Sequence, residues 1–345
     1  MWYDKLIENN KVPDVLLRQG IRKLLKQRLA DENKGDVETQ QAHLMGLIEF
    51  LKSSPIAVNT ADANQQHYEV PTQFYQYCLG KNLKYSGCYY KPGVTTLDQA
   101  EDDMLELTCH RAELTNGQHV LELGCGWGSL SLFMAKKFPK STFKVVSNSR
   151  TQKEYIDGQA KQRGIKNLTV ITADMNTFTI DEVFDRVVSV EMFEHMRNYQ
   201  RLTKKVASFL KPDGKLFIHI FTHKEYAYLF EVKNETDWMS KYFFTGGIMP
   251  SDDLMFYFNE DLLVEKHWHV NGTHYGKTAE AWLSNMDNHK AEIMPLFSET
   301  YGSDHAVKWW VYWRLFYMSC AELWNFNNGN EWLVSHYLFH KTQLN

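Results

Sequence analysis

From about residue 118 the chain repeats one pattern: a short apolar run, a turn, then an amphipathic stretch. "HVLELGCG" reads as a buried strand running into a glycine turn, and "SLSLFMAKKF" as the helix after it. "TFKVVSN" and "TQKEYIDGQAKQRG" form the next strand and helix, closed at Gly164. "NLTVITAD" is a third strand and "FDRVVSVEMF" a fourth. "YQRLTKKVASFLKPDG" is a helix stopped by Pro-Asp-Gly, and "KLFIHIF" a fifth strand. Strands joined through helices lie parallel, with the helices on both faces of the sheet. The predicted fold class is therefore α/β with a Rossmann-like, mostly parallel sheet. Ligands of such sheets bind beyond the carboxyl ends of the strands, so functional residues should follow the strands directly.

The flanks depart from this pattern. In "DVLLRQGIRKLLKQRLADEN", Leu17, Ile21, Leu24, Leu25 and Leu29 recur at helical spacing, with Asp14 a candidate cap. A second helix runs from about Asp36 to Ser53 and ends before Pro55. The other face of the first helix carries Arg18, Arg22, Lys23, Lys26 and Arg28. It reads as a solvated face, with contact to an anionic membrane as the second reading. Residues 1–95 are expected to form an N-terminal helical cap and 96–222 a cofactor-binding core. Residues 223–330, with "YFFTGGIMPSDD" and "AVKWWVYWRLFYMSCAELW", read as a helical insertion over the site. "LLVEKHWHV", near 262–270, returns from it to the sheet, and "EWLVSHYLFH" opens the closing segment 331–345 as the last strand.

Hydrophobic residues make up 43% and charged residues 23%, enough apolar content for a sizeable core. A net charge of −4 gives no general attraction for nucleic acid. The five cysteines, at 78, 88, 109, 125 and 320, are odd in number and include no C-x-x-C pair. That argues against a disulfide framework or a zinc site, and for a reducing compartment. "MWYDKLIENNKVPD" lacks the apolar core of a signal peptide, and no run approaches the ~18 apolar residues of a membrane span. The expectation is a cytoplasmic protein with no metal and no stable membrane association; a homodimer stays open.

In "VLELGCGWGS", Gly124, Gly126 and Gly128 follow a strand and open a helix, where a ligand can approach the main chain. The spacing is G-x-G-x-G, not the dinucleotide G-x-G-x-x-G, and strand two ends in "SNS" without the acid an NAD ribose needs. The acid that is present is Glu122, two residues before the first glycine. After strand four, "EMFEHM" sets Glu191, Glu194 and His195 at the mouth of the sheet. Ionisable groups beside a buried strand are costly unless something pairs with them. They either face a ligand, cap the helix that begins near Asn198 or bind backbone amides. If the segment is helical, the two glutamates share one face.

The acid-x-G-x-G-x-G form resembles motif I of the S-adenosylmethionine-dependent methyltransferases. That class I fold implies an acid beside the adenine after strand three (here Asp174 in "ITADM"), chemistry after strand four, and an antiparallel last strand. Across nearly the whole chain, "HYEVPTQFYQYCLGKNLKYSGCYY", "VEMFEHMRNY" and "YFFTGGIMPS" resemble the cyclopropane fatty acid synthase superfamily. Within it, "SNSRTQKEYI", "HKEYAY", "HWHVNGTHY", "AVKWWVYWR" and "NNGNEW" are similar to the plant alkaloid N-methyltransferases of the coclaurine N-methyltransferase type.

The resemblance implies S-adenosyl-L-methionine as cofactor, held by Tyr85, Ser86, Gly124, Gly126, Asn148, Gln152 and Asp174, with Glu122 alongside. It implies an amine site lined by Tyr68, Glu69, Glu191, Glu194 and His195, with Trp313 and Phe316 as its aromatic wall. His219 matches a histidine that the lipid-acting members carry after strand five, and is expected at the substrate site as well. Two departures stand out. Those members have a cysteine directly after the Tyr-Ser pair, where this chain has Gly87 and then Cys88. They also hold bicarbonate with a late tyrosine, for which "RLFYMSCAEL" offers no clear match.

The activity so implied is N-methylation of a small aromatic amine or alkaloid, of benzylisoquinoline or phenylalkylamine type. An alkylamine with a lysine-like pKa is only ~0.04% neutral at pH 7, about 4.6 kcal/mol against the reactive form. Glu191, Glu194 and His195 are the candidate catalytic residues, because they can attract the ammonium and Glu194 and His195 can accept its proton. Trp309, Trp310, Trp313, Phe316 and Tyr317 could all be core. Trp313 and Phe316 are assigned to the amine because a ring stabilises a cation by ~0.5–2 kcal/mol. The alternative is cyclopropane synthase-like methyl transfer to unsaturated acyl chains of phospholipid. A cofactor-binding protein without catalysis is the third reading, and the intact Glu194, His195 and glycine turn oppose it.

Overall fold

Alternation along each strand decides which face it buries. In β1 (His119–Leu123), Val120 packs into one buried cluster while Leu121 and Leu123 pack into another on the opposite side. β1 pairs in parallel with β2 (Thr142–Ser147) and with β4 (Phe184–Val190). β3 (Leu168–Thr172) adds to β2, and β5 (Leu210–His223) to β4, again in parallel. A separate ribbon joins β6 (Tyr228–Leu229) to β7 (Ile248–Met249). β9 (Trp332–Lys341) then runs antiparallel to β5, and β8 (Leu262–Val270) antiparallel to β9. The resulting order is β3-β2-β1-β4-β5-β9-β8. The computed structural model, which describes residues 4–58, 70–232 and 238–342, thus has the mostly parallel sheet and antiparallel last strand that the sequence predicts.

Helices cover both faces. Before the sheet come α1 (Asp4–Glu8), α2 (Asp14–Glu32), α3 (Val37–Ser53), α4 (Thr72–Cys78) and α5 (Leu97–Arg111). The crossovers are α6 (Ser129–Lys137), α7 (Arg150–Gln162) and α8 (Tyr199–Phe209). On one face, Ile48 and Leu51 of α3 and Leu202 and Val206 of α8 pack on Leu121, Val187 and Ile218. On the other, Leu105 of α5, Met134 of α6 and Ile156 of α7 pack on Val120, Val188 and Phe217. The helix stop falls earlier than the Pro-Asp-Gly motif suggests. α8 ends at Phe209 and β5 starts at Leu210, with a register shift at Phe184/Arg186 that absorbs Pro212, Asp213 and Gly214.

A third, aromatic-rich cluster lies over the carboxyl ends of the strands. α9 (Trp238–Tyr242), α10 (Gly272–Asn288), α11 (Lys290–Tyr301) and α12 (Ala306–Asn325) build it with Phe74 and Tyr75 of α4. α2 joins through Ile21 and Leu25, while Leu17 and Leu29 are half-buried and Leu24 is exposed. Its basic face divides. Lys23 and Lys26 are exposed, but Arg18 donates to Glu280 at 2.6 and 2.8 Å and to Glu322 at 2.9 Å, and Arg22 donates to Glu322 at 2.5 Å. These pairs clamp α2 to α10 and α12. Among the described residues no helix is long and apolar enough to cross a membrane. All five cysteines are free thiols.

Candidate active site

The glycine turn opens a cleft at the carboxyl ends of β1 to β4. Gly126 adopts φ +51°, and a Cβ there would meet nothing within 4 Å, because it borders the open space. Gly124, at φ +78°, is crowded instead: a Cβ would lie 2.7 Å from Met192. Tyr85, Ser86, Glu122, Gly124, Gly126, Asn148, Gln152 and Asp174 all line this cleft, from four separate stretches of chain. Ser147 donates to Gln152 Oε1 at 2.6 Å, which leaves Gln152 Nε2 buried without a partner among the described residues. Such a donor is costly unless a ligand receives it. Glu122 accepts from Ser131 at 2.5 Å, and burial pushes its carboxyl up to about 8. An orphaned donor, a glycine facing open space and a desolvated carboxyl suit a polar, cationic nucleoside-type ligand.

Glu191, Glu194 and His195 follow β4, but the segment is no α-helix. Glu191 sits at φ +47°, and Phe193–His195 is a single 3₁₀ turn. The helix-cap reading of the pair also fails. Asn198 caps α8 with its own side chain, accepting from Arg201 N–H at 2.9 Å. The same side chain donates to the Lys52 and Ser54 carbonyls at 2.7 and 2.8 Å, tying the loop to the end of α3.

Glu191 and His195 line the cleft. Glu191 accepts from Gly87 N–H at 2.9 Å and from the Tyr275 hydroxyl at 2.7 Å, and His219 Nε2 lies 3.1 Å away. Glu194 lies deeper, 1% exposed, and its Oε2 has no partner among the described residues. Burial raises both carboxyls. Lys84 and the donors on Glu191 oppose that rise, whereas the Glu191 charge adds to it at Glu194, which is pushed well above the carboxylate range. The ionised form is therefore better supported by its neighbours at Glu191 than at Glu194. The His195 ring stacks parallel on Phe244, centroids 6.0 Å apart.

Three further sequence-predicted residues lie off the cleft lining. His219 is fully buried behind Glu191. Trp313 and Phe316 lie in the aromatic core and do not border the cleft. Phe316 stacks on Phe243 at 4.4 Å and lies 6.2 Å from Phe244, so it backs the ring under His195. Tyr68 and Glu69 lie outside the described residues.

Sequence reasoning missed Lys84, Tyr275 and Phe244. Tyr275 supplies a late tyrosine at Glu191 after all, from "HWHVNGTHY" and not from "RLFYMSCAEL". Gly87 leaves room for its ring: a Cβ there would lie 3.0 Å from Tyr275 Cδ1. No spacing motif announces a metal site. The fold does bring Asp252 within 3.0 Å of His267 and 2.7 Å of His269, where they pair with one another at the far edge of the sheet.

The strand order, the glycine turn, the acid near the end of β1 and the acids after β3 and β4 define a class I S-adenosylmethionine-dependent methyltransferase. The family model for "Mycolic acid cyclopropane synthetase" matches residues 57–330, and the chain belongs to that family. It is 40% identical to (S)-coclaurine N-methyltransferase of Thalictrum flavum subsp. glaucum, over 98% of this chain and 94% of that one. A crystal structure of coclaurine N-methyltransferase bound to N-methylheliamine and SAH superposes with a TM-score of 0.95 at 39% identity, covering 98% of each chain. Cyclopropane-fatty-acyl-phospholipid synthase of Escherichia coli (strain K12) is 30% identical over 69% of this chain and 59% of its own.

Proposed function

We infer that the protein transfers a methyl group from S-adenosylmethionine to the nitrogen of a small aromatic amine of benzylisoquinoline or phenylalkylamine type. When bound, the cofactor supplies an electrophilic methyl group on a sulfonium. Tyr85, Ser86, Gly124, Gly126, Asn148, Gln152 and Asp174 are the residues to hold it, with Glu122 beside them. The observation that carries the reading is the split between two adjacent carboxyls. Glu191, fastened by Gly87 and Tyr275, is the fixed anion that draws an ammonium in. Glu194, buried with a bare oxygen and raised well above its ordinary range, has the proton affinity of a base. His195, on the wall of the cleft and stacked on Phe244, passes the proton from the amine to it. The relatives named for N-methylation support nitrogen as the acceptor over most of the chain's length.

Methyl transfer to an acyl chain is the weaker alternative. It ends in a carbocation that needs a precisely held base, for which the lipid-acting members use bicarbonate. The late tyrosine no longer separates the two readings, since Tyr275 is in place. The difference rests on Gly87, which offers a backbone N–H already given to Glu191. To test the function, bicarbonate-depleted protein is assayed with benzylisoquinolines and phenylalkylamines, and separately with unsaturated phospholipid vesicles. N-methylation independent of bicarbonate is expected. Cyclopropane formation in the vesicles, with no amine methylated, would overturn the assignment.

A further inference from the structure

Behind Glu191 lies a line of polar groups that the reaction as described does not use. Arg111, in the last turn of α5, places Nη1 2.9 Å from His336 Nδ1. His336 Nε2 lies 2.9 Å from His219 Nδ1, and His219 Nε2 is 3.1 Å from Glu191 Oε1. Both histidines are fully buried and face each other across the β5–β9 pairing. His219 also grips the Glu191 main chain, accepting its N–H at 2.8 Å through the carbonyl.

Elementary donor counting gives this line a direction. A guanidinium only donates, so His336 Nδ1 must accept and its proton must sit on Nε2. That proton is donated to His219 Nδ1, so the His219 proton sits on Nε2 and points at Glu191. Burial keeps both rings neutral, with the positive charges of Arg111 and Lys84 adding to the effect, which leaves each ring one proton to place. If Arg111 is removed, nothing fixes the His336 proton to Nε2 and the reverse order becomes available. His336 then carries its proton on Nδ1, His219 donates from Nδ1, and a bare His219 Nε2 faces Glu191. A carboxylate opposite that lone pair is repelled and takes up a proton to donate it.

We propose that Arg111 and His336 are positioning residues: acting through His219, they set the direction of a buried hydrogen-bond line and thereby keep Glu191 an oriented carboxylate. The proposal rests on the reading of Glu191 as the amine-attracting anion. Other groups face Glu191 as well: Lys84 and Cys88 from the loop around Gly87, Glu194 and His195 from its own loop, Tyr275 from α10 and Cys320 from α12. Lys84, His267 and Tyr89 lie near the Arg111 end. None of these supplies His336 Nδ1 with a donor; Arg111 does.

The test combines spectroscopy with pH profiles. In ¹⁵N-histidine-labelled wild-type protein, His219 and His336 should both show the Nε2–H form; an Nδ1–H form at either would overturn the proposal without any variant. Arg111→Met and His336→Leu should lose roughly tenfold in kcat/KM for a cationic amine, with the acid limb displaced upward by about one pH unit. Calorimetric affinity for S-adenosylmethionine should not change. His336→Gln keeps an acceptor toward Arg111 and a donor toward His219, and Arg111→Lys keeps a donor; both should restore the profile. Folded Arg111→Met and His336→Leu proteins with wild-type profiles would overturn the relay. If Glu191→Gln itself leaves kcat/KM unchanged, the reading of the amine site fails instead.

Discussion

Single residues carry the chemistry, and Glu194 is the one whose surroundings are most one-sided. It is buried, one oxygen is unmatched, and the Glu191 charge pushes its pKa up further. A base with a raised pKa gains its active form as pH rises, so turnover should climb across pH 6 to 9. Glu194→Gln and His195→Ala should each lower kcat by roughly 10²-fold and leave cofactor affinity nearly unchanged. Wild-type rates for both variants across that range would make the pair structural. Gly126 is the counterpart on the cofactor side. Its φ of +51° strains any branched residue, and the direction a Cβ would take is open cleft. Gly126→Val should bind S-adenosylmethionine too weakly to detect by calorimetry while staying folded. Unchanged affinity in a folded variant would remove the glycine turn from the cofactor site.

At the level of elements, the reacting loop has little regular structure and is held by its neighbours. Met196 bridges to Ala57, Arg197 N–H donates to the Ile56 carbonyl at 2.7 Å, and Asn198 joins the start of α8 to the end of α3. Asn198→Ala removes one cap and leaves two carbonyls without their donor. It should destabilise the protein by about 1–3 kcal/mol in denaturant unfolding. It should also lower kcat more than it raises KM for S-adenosylmethionine, because His195 is three residues away while the glycine turn is untouched. A loss of stability with kcat intact would show that α8 alone depends on this cap.

For the whole molecule, buried acids should give stability an unusual pH dependence. Burial pushes Glu101 up to about 7 and Glu122 up to about 8, against 4.5 for a solvated glutamate. Between those values the folded chain holds protons that the unfolded chain has released. The stability they contribute is complete below pH 4.5 and is lost as pH rises through 7 and 8, by at most about 1.4 kcal/mol per pH unit for each group. His219 and His336, held well below 6.5, work the other way, but only up to pH 6.5. Tm of the cofactor-free protein should therefore fall from pH 6.5 to 8.5. Glu101→Gln and Glu122→Gln should each flatten that fall in thermal scans at constant ionic strength. An equal slope in wild type and both variants would refute the assignment to these groups.

Local pattern was enough for the frame. Short apolar runs in β1 to β5, helical spacing between them and the glycines after β1 are each written within a dozen residues, and they place most of the cleft-lining side chains with little help from distant chain. The position of "EMFEHM" after β4 was legible for the same reason. Its conformation was not: a left-handed Glu191 depends on contacts from Gly87, His219 and Tyr275, which no local propensity encodes. The packing of Trp313 and Phe316 on Phe243 was not legible either, since a stripe of aromatics does not name the rings it meets. The partners of Glu191 and His219 come from the Gly87 loop, α10 and β9, with Arg111 of α5 behind His336. His336 meets His219 only through the antiparallel register of β9, and a slip of one residue would turn it to the opposite face. Sequence alone determined the sheet, the turn and the residues at its mouth. Tertiary structure decided that Glu191 is tied to Gly87, His219 and Tyr275 while Glu194 is buried with a bare oxygen, because burial and hydrogen-bond direction are properties of the assembled neighbours and not of any one segment.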